Sequence, residues 1–152
     1  MGLSYTLPAA AAPPAPPPID ETAVDLFGYD IYFKKDFQIT ASGDYLRVGG
    51  KDNLKAAIYR RLITRPGEFR FRPTYGCGIG DFVKKKPSSA NLDALKRRII
   101  EQLLQDDRIS AVAVELTHET IQDAPVLKVY VKVTTGGNPL SFEPFVFMET
   151  AA

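Results

Sequence analysis

The sequence predicts an α+β fold: two helices packed on a small mixed, mainly antiparallel sheet, with a C-terminal hairpin and a terminal edge strand. Three observations carry this. Leu54, Ala57, Ile58 and Leu62 recur at helical spacing, and so do Leu92, Leu95, Ile99 and Leu103. Leu127, Val129, Val131 and Val133 alternate with Lys128, Tyr130 and Lys132, the clearest period-2 segment in the chain. The segments run strands, helix, strand, helix and then three strands, which gathers an antiparallel sheet at the C-terminal end.

The first 18 residues hold six of the twelve prolines, and Leu7 to Pro18 reads LPAAAAPPAPPP. Proline fixes φ and removes backbone donors, so this tract is excluded from a helix or a central strand. Residues 1–18 therefore read as a flexible tail that could reach a neighbouring subunit, extending to roughly 55 Å at polyproline rise. Residues 19–36 read as a connecting segment and 37–152 as the folded domain.

Within that domain, Phe37 to Ile39 and Tyr45 to Val48 are expected as short strands around the turn Ala41 to Asp44. Gly49-Gly50 breaks the pattern. A first helix follows over Asp52 to Ile63 and stops at Thr64-Arg65-Pro66-Gly67, because the residue before a proline disfavours the α region. In Glu68 to Pro73, Phe69 and Phe71 alternate with Arg70 and Arg72, which predicts a short, half-buried strand. Tyr75 to Gly78 is a glycine-rich bend. A second helix is expected over Asn91 to Leu104, with capping side chains available from Ser88 onward and Ile100 and Leu104 widening its apolar face. Strands over Ala111 to Leu116 and Leu127 to Val133 form the hairpin, with the polar run His118 to Pro125 as its reversal. After a turn at Thr135 to Pro139, Ser141 to Met148 is a final aromatic strand, and its internal proline assigns it to an edge.

Composition removes several function classes. The chain has 152 residues, of which 45% are apolar and 24% charged, as expected of a soluble globular domain. A net charge of +1 lacks the electrostatic footprint of a general nucleic-acid binder, although Lys84 to Lys86 and Lys96 to Arg98 could form a basic patch beside Tyr75 or Phe82. No run approaches the length of a membrane span, and Met1 to Pro18 lacks the basic start of a signal peptide. One cysteine and one histidine cannot build a four-ligand zinc site. Cys77 and His118 are the sole thiol–imidazole pair; the residues read more simply as a packed small side chain and a turn histidine. Gly76 to Gly80 lacks the Gly-Lys-Ser/Thr ending of a phosphate loop. Glu68, Glu115 and the pair Asp106-Asp107 give no sign of two carboxyls flanking a cleft. Asp106-Asp107-Arg108 reads either as a solvated helix end or as a recognition turn. No catalytic residue, cofactor site or metal site is assigned, and the chain is read as a non-enzyme.

Thr64 to Ile79 reads TRPGEFRFRPTYGCGI. This resembles the signature of the baseplate sheath-initiator family of contractile tails, which includes contractile-phage wedge proteins and the matching subunits of type VI secretion systems and extracellular injection particles. Members carry a helix ending in Thr-x-Pro-Gly-Glu-Arg, an apolar pair, and then Arg-Pro-x-aromatic-Gly-Cys-Gly. Thr64, Pro66, Gly67, Glu68, Arg72, Pro73, Tyr75, Gly76, Cys77 and Gly78 match. Phe69 stands where arginine is usual and Arg70 where an apolar residue is usual, so a local exchange of faces is one reading. A second family motif, Glu-Pro-Arg, corresponds to Asp106-Asp107-Arg108, without the proline and with a shorter acid.

The resemblance, which extends from about Phe37 to Met148, implies a structural baseplate component that templates sheath polymerisation by strand addition and links the sheath to the wedge. It implies the tail sheath protein, baseplate wedge proteins and a tail tube or tube-initiator protein as partners, with six copies around the tube, no nucleic acid and no membrane insertion. It implies a virion or injection-particle baseplate assembled in the bacterial cytoplasm. On this reading Asp106, Asp107 and Arg108 contact the wedge, and the sheath meets Ser141, Phe142, Glu143, Phe145, Val146, Phe147 and Met148. The matched motif mainly shapes the fold. Some members have carried a lysozyme-like label, and this sequence supplies no residues for that activity. A small enzyme and a nucleic-acid-binding module are the competing classes.

Overall fold

The strongest alternation in the chain becomes the central strand of a sheet. The structure, a computed structural model, describes residues 27–31, 39–83, 88–121 and 124–148. In chain order its elements are β1 (Tyr29–Ile31), β2 (Arg47–Gly49), α1 (Gly50–Ile63), α2 (Ile79–Val83), α3 (Ser89–Leu103), β3 (Ala111–Ile121), β4 (Ala124–Thr135), β5 (Asn138–Ser141) and β6 (Phe145–Met148). The Pro-rich tail, Phe37-Gln38 and Lys84 to Lys86 lie outside the described residues.

β4 has β3 on one side and both β5 and β6 on the other, every pair antiparallel. Leu127, Val129, Val131 and Val133 point to one face and are at most 2% exposed. On that face they meet Leu95, Ile99 and Leu103 of α3 and Leu54, Ile58 and Leu62 of α1. Both helices thus bury the stripes that their spacing predicts. The sheet is therefore α+β in layout, with helices on one face and Tyr130 and Lys132 exposed on the other.

The helix starts differ slightly from expectation and have physical reasons. α3 begins at Ser89 because Ser88 is its N-cap, its Oγ accepting from the Asn91 N–H at 3.2 Å. α1 begins at Gly50, whose φ of 60° only glycine adopts readily. α2 is an additional single turn after the glycine-rich bend.

Four expectations about strands are corrected. Glu68 to Pro73 is not a strand but a chain of turns, with Arg72 N–H donating to Phe69 O at 3.1 Å and Gly67 N–H to Pro73 O at 2.7 Å. Phe69 and Phe71 are both exposed, so the Phe/Arg alternation marks no buried face and the adjoining departures are no exchange of faces. Ile39 and Tyr45 form a single bridge, and β2 pairs instead with β1, Asp30 opposite Val48. His118 is not in a turn: β3 runs on to Ile121 and β4 begins at Ala124, so the hairpin is longer than its polar residues suggest. The mixed character expected of the sheet is absent among the described residues, where every strand pair is antiparallel.

The final strand is split. β5 pairs with Lys132 to Thr135 and β6 with Val126 to Val129, so Phe142 to Pro144 lie opposite only Tyr130 and Val131. The extra residue switches the inward parity from Leu140 and Phe142 to Phe145 and Phe147, as a bulge does.

The packed unit also reaches back before residue 37. Phe27 is buried, and its carbonyl accepts from Asn53 Nδ2 at 2.8 Å and from an Arg108 guanidinium nitrogen at 2.9 Å. Ile99→Ala should therefore lower the unfolding free energy by about 3 kcal/mol, through lost contacts and the cavity left behind. Val146→Ala, at an exposed position, should change it by less than about 0.5 kcal/mol. Urea titration separates the two by a shift of midpoint at constant slope.

Candidate functional site

The matched motif is a loop folded back onto the end of α1. A helix leaves its last carbonyls without intrahelical donors. Here Thr64 N–H and Thr64 Oγ1 donate to Arg60 O at 3.0 and 2.7 Å. Cys77 N–H donates to Arg61 O at 2.9 Å, and Gly78 N–H to Thr64 O at 2.8 Å. For these bonds to form, the chain at Gly76 must lie against Thr64: a Cβ on Gly76 would sit 2.3 Å from Thr64 O. Gly76 also has φ 103° and Gly78 φ 62°. Pro66 Cδ lies 3.2 Å from where a Gly78 Cβ would be, and Glu68 closes the first turn by accepting from Arg65 N–H at 3.0 Å.

Sequence reasoning missed the side chains that tie this loop to α3. Gln102 is buried; its Oε1 accepts from Gly76 N–H at 2.8 Å and its Nε2 donates to Thr74 O at 2.9 Å. Arg61 donates to Gln102 O and lies 4.9 Å from the centre of the Tyr75 ring. The signal was available, because Gln102 is a polar residue on the stripe of Leu95, Ile99 and Leu103.

Cys77 is fully buried, and burial pushes its thiol up to about 12, partly opposed by the charges of Arg61 and Arg98. At neutral pH it is a packed thiol, without the thiolate that a nucleophile needs. His118 sits mid-way along the hairpin opposite Leu127, with a buried Nε2 that makes no hydrogen bond within the described residues. Among the described residues no group of three or more His, Cys, Asp or Glu side chains is gathered to hold a metal, and no helix is long and apolar enough to cross a membrane.

Asp106 and Arg108 brace each other. Arg108 Nε and one terminal nitrogen donate to the two carboxylate oxygens at 2.8 and 2.7 Å, and the Arg108 backbone N–H adds a third bond at 3.2 Å. The guanidinium hydrogen bonds hold the Asp106 carboxyl below its ordinary range despite its burial, helped by the Arg108 backbone bond and the charges of Arg108 and Arg61. The same hydrogen bonds raise Arg108. Asp107 alone of the three is exposed.

In the last strand, Phe145 is buried and Phe147 half-buried, both stacked on Tyr59 with centroids 6.3 and 6.1 Å away. Val146 and Met148 point outward, 51% and 59% exposed. Of the predicted contact strand, the aromatic side chains thus belong to the core, and what faces solvent is Ser141, Glu143, Val146, Met148 and the outer backbone edge.

Comparison with known proteins gives four findings. The family described as contractile injection system sheath initiator matches residues 27–137. A chain in the cryo-EM structure of the anti-feeding prophage baseplate, 6-fold symmetrised, superposes with TM-score 0.54 at 19% identity over 75% of this chain and 91% of that one, which establishes likeness of fold. A Geobacter sulfurreducens protein provisionally described as a tail lysozyme gives TM-score 0.44 at 21% identity over 66% of this chain and 94% of that one, too slight a likeness to carry an argument. No curated protein matches.

Two outcomes test the site. Gly76→Ala should destabilise the fold by about 3 kcal/mol or more, since it adds a backbone clash to a left-handed φ. Gly67→Ala, with φ 86° but open space around it, should cost only about 1 kcal/mol. Asp106→Asn should cost about 2 kcal/mol near neutral pH, where the parent carboxylate is ionised in both states. Because its folded value is lowered, the contribution of Asp106 is complete above the ordinary carboxylate range and is lost as pH falls through the lowered value. Urea titrations across acid pH should therefore show the two curves converging.

Proposed function

The chain belongs to the contractile injection system sheath initiator family, and we propose that it acts there as a structural baseplate part on which the sheath begins to polymerise. It is a component of the baseplate of a contractile injection particle, and family membership implies association with other baseplate and sheath components.

The finer reading concerns how. The observation that carries it is the outer edge of β5 and β6, which has no partner strand among the described residues. Such an edge presents backbone N–H and C=O groups to an incoming extended segment, and a sheath strand adding there would lengthen the sheet by one. Each backbone bond contributes only about 1 kcal/mol net, so one junction is modest. A closed ring of such junctions, six copies around the tube, is held cooperatively. Val146 and Met148, on the open face beside the edge, supply apolar contact for the added strand. At the turn after α3, Asp107 offers an exposed carboxylate to the wedge, while the Asp106–Arg108 brace fixes its position. No step in this role is chemical, and the protonated, buried Cys77 is consistent with a non-enzymatic part.

The test is recovery of partners with an N-terminally tagged chain from producing cells, followed by mass spectrometry. The parent should bring down sheath, tube and wedge proteins. Val146→Asp with Met148→Asp should lower sheath recovery at least about tenfold while wedge recovery holds, because both side chains are exposed and their loss spares the core. Equal sheath recovery by parent and variant would remove β6 from the sheath contact.

A further inference from the structure

Phe71 stands almost free of its own protein. It is 92% exposed, more than any other large apolar residue described. A single exposed apolar side chain is ordinary. Three features together set this one apart.

The first is that its loop is held. Gly67 N–H closes the loop onto Pro73 O at 2.7 Å, Arg72 N–H bonds Phe69 O at 3.1 Å, and Glu68 N–H bonds Arg65 O at 3.1 Å. Phe69 leans on Tyr75 with ring centres 5.5 Å apart, and Tyr75 in turn lies against Arg61. The base of the loop is anchored by the bonds of Cys77 and Gly78 to the end of α1. A loop fixed in this way loses little conformational freedom when it docks.

The second is the charge around Phe71. Arg70 and Arg72 flank it, both exposed, and neither makes an ion pair among the described residues. Arg65 pairs with Asp81 at 3.1 Å, and the Glu68 carboxylate accepts from Arg65 N–H. The charge left for a partner is therefore positive and is carried by the residues before and after Phe71.

The third is that the fold gives Phe71 no internal task. Its neighbours in the motif cap a helix or bridge to α3, whereas Phe71 joins no part of the core. Aromatic residues and arginine are each enriched at protein interfaces, and arginine also where binding energy concentrates.

We propose that the loop from Gly67 to Pro73 inserts Phe71 into an apolar socket on a neighbouring baseplate protein, with carboxylates at the socket rim that receive Arg70 and Arg72. The choice of a baseplate protein as partner rests on the baseplate reading above. The contact is separate from the β5–β6 edge and from the turn at Asp106 to Arg108, so it provides a third attachment.

The experiment uses the full chain in assembling particles, with a benzophenone amino acid in place of Phe71, irradiation and mass spectrometry of the crosslinked peptide. The expected result is a crosslink to one baseplate protein, in a segment that carries apolar residues and at least two carboxylates. In parallel, Phe71→Asp and the pair Arg70→Glu with Arg72→Glu should melt with the parent yet enter particles at least about tenfold less. The crosslink does not depend on those variants folding. A crosslink to lipid, to nucleic acid or to a segment without carboxylates overturns the proposal, and so does incorporation of Phe71→Asp at parental levels. If the unaltered chain is itself missing from particles, the baseplate reading fails and this contact falls with it. Parent present with variants unaffected removes the contact alone.

Discussion

The structure depends on one close approach, that of the backbone at Gly76 to the carbonyl of Thr64. At the end of α1 Leu62 and Thr64 are buried and Arg60 and Arg61 half-buried, so the last carbonyls are met by protein donors. The loop supplies them through Cys77 and Gly78, and it can do so only where no Cβ intervenes. Gln102 then transmits the position of that loop to α3, since it bonds Gly76 and Thr74 from one side chain. Because α1 and α3 both pack on the same face of β4, a bond between loop and helix sets how the helices lie on the sheet. A buried amide whose oxygen and nitrogen are both bonded adds specificity to what apolar packing alone would leave loosely determined.

A second theme is the division of charged side chains between bracing and display. Asp106 and Arg108 turn inward and pin the lead-in at Phe27, and Asp30 similarly engages Arg60. Asp107, Arg70 and Arg72 are left to the surface. Adjacent residues in the same short segment thus differ, one holding the shape and the next left exposed. This arrangement suits a part whose role is to keep fixed surfaces in place rather than to change protonation during a cycle. The burial of Cys77 fits the same pattern: the motif cysteine is small, apolar in behaviour and enclosed by the loop.

The sheet shows how an edge can be kept both available and restrained. Pro139 and Pro144 remove two donors from the β5–β6 run, and the bulge between the two strands interrupts a flat template. Such features discourage indiscriminate pairing between copies. The aromatic residues that make the run look adhesive in sequence are largely turned into the core against Tyr59. What remains outward is Ser141, Glu143, Val146, Met148 and the outer backbone edge, the surface proposed above to receive an extended partner.

By itself the sequence determined the α+β class, both helices with their buried stripes, the core face of β4 and the motif that identifies the family. These follow from periodicity over many residues, where each position repeats the same signal. Part of the site was legible as well, since Gln102 breaks an apolar stripe, whereas the bulge that splits the run from Ser141 to Met148 was not. Only the tertiary structure decided the rest. Phe69 to Arg72 alternate as a strand would, but no neighbouring strand among the described residues supplies a ladder, so local turn bonds and the anchoring of the loop on α1 prevail. His118 to Ile121 are polar enough for a turn, yet cross-strand pairing with β4 extends the hairpin through them. That Asp106 faces inward while Asp107 faces outward depends on where Arg108 and the Phe27 carbonyl come to rest, 81 residues apart in the chain. Local patterns record what a segment can bury, whereas its hydrogen-bond partners are fixed by which distant segments arrive beside it.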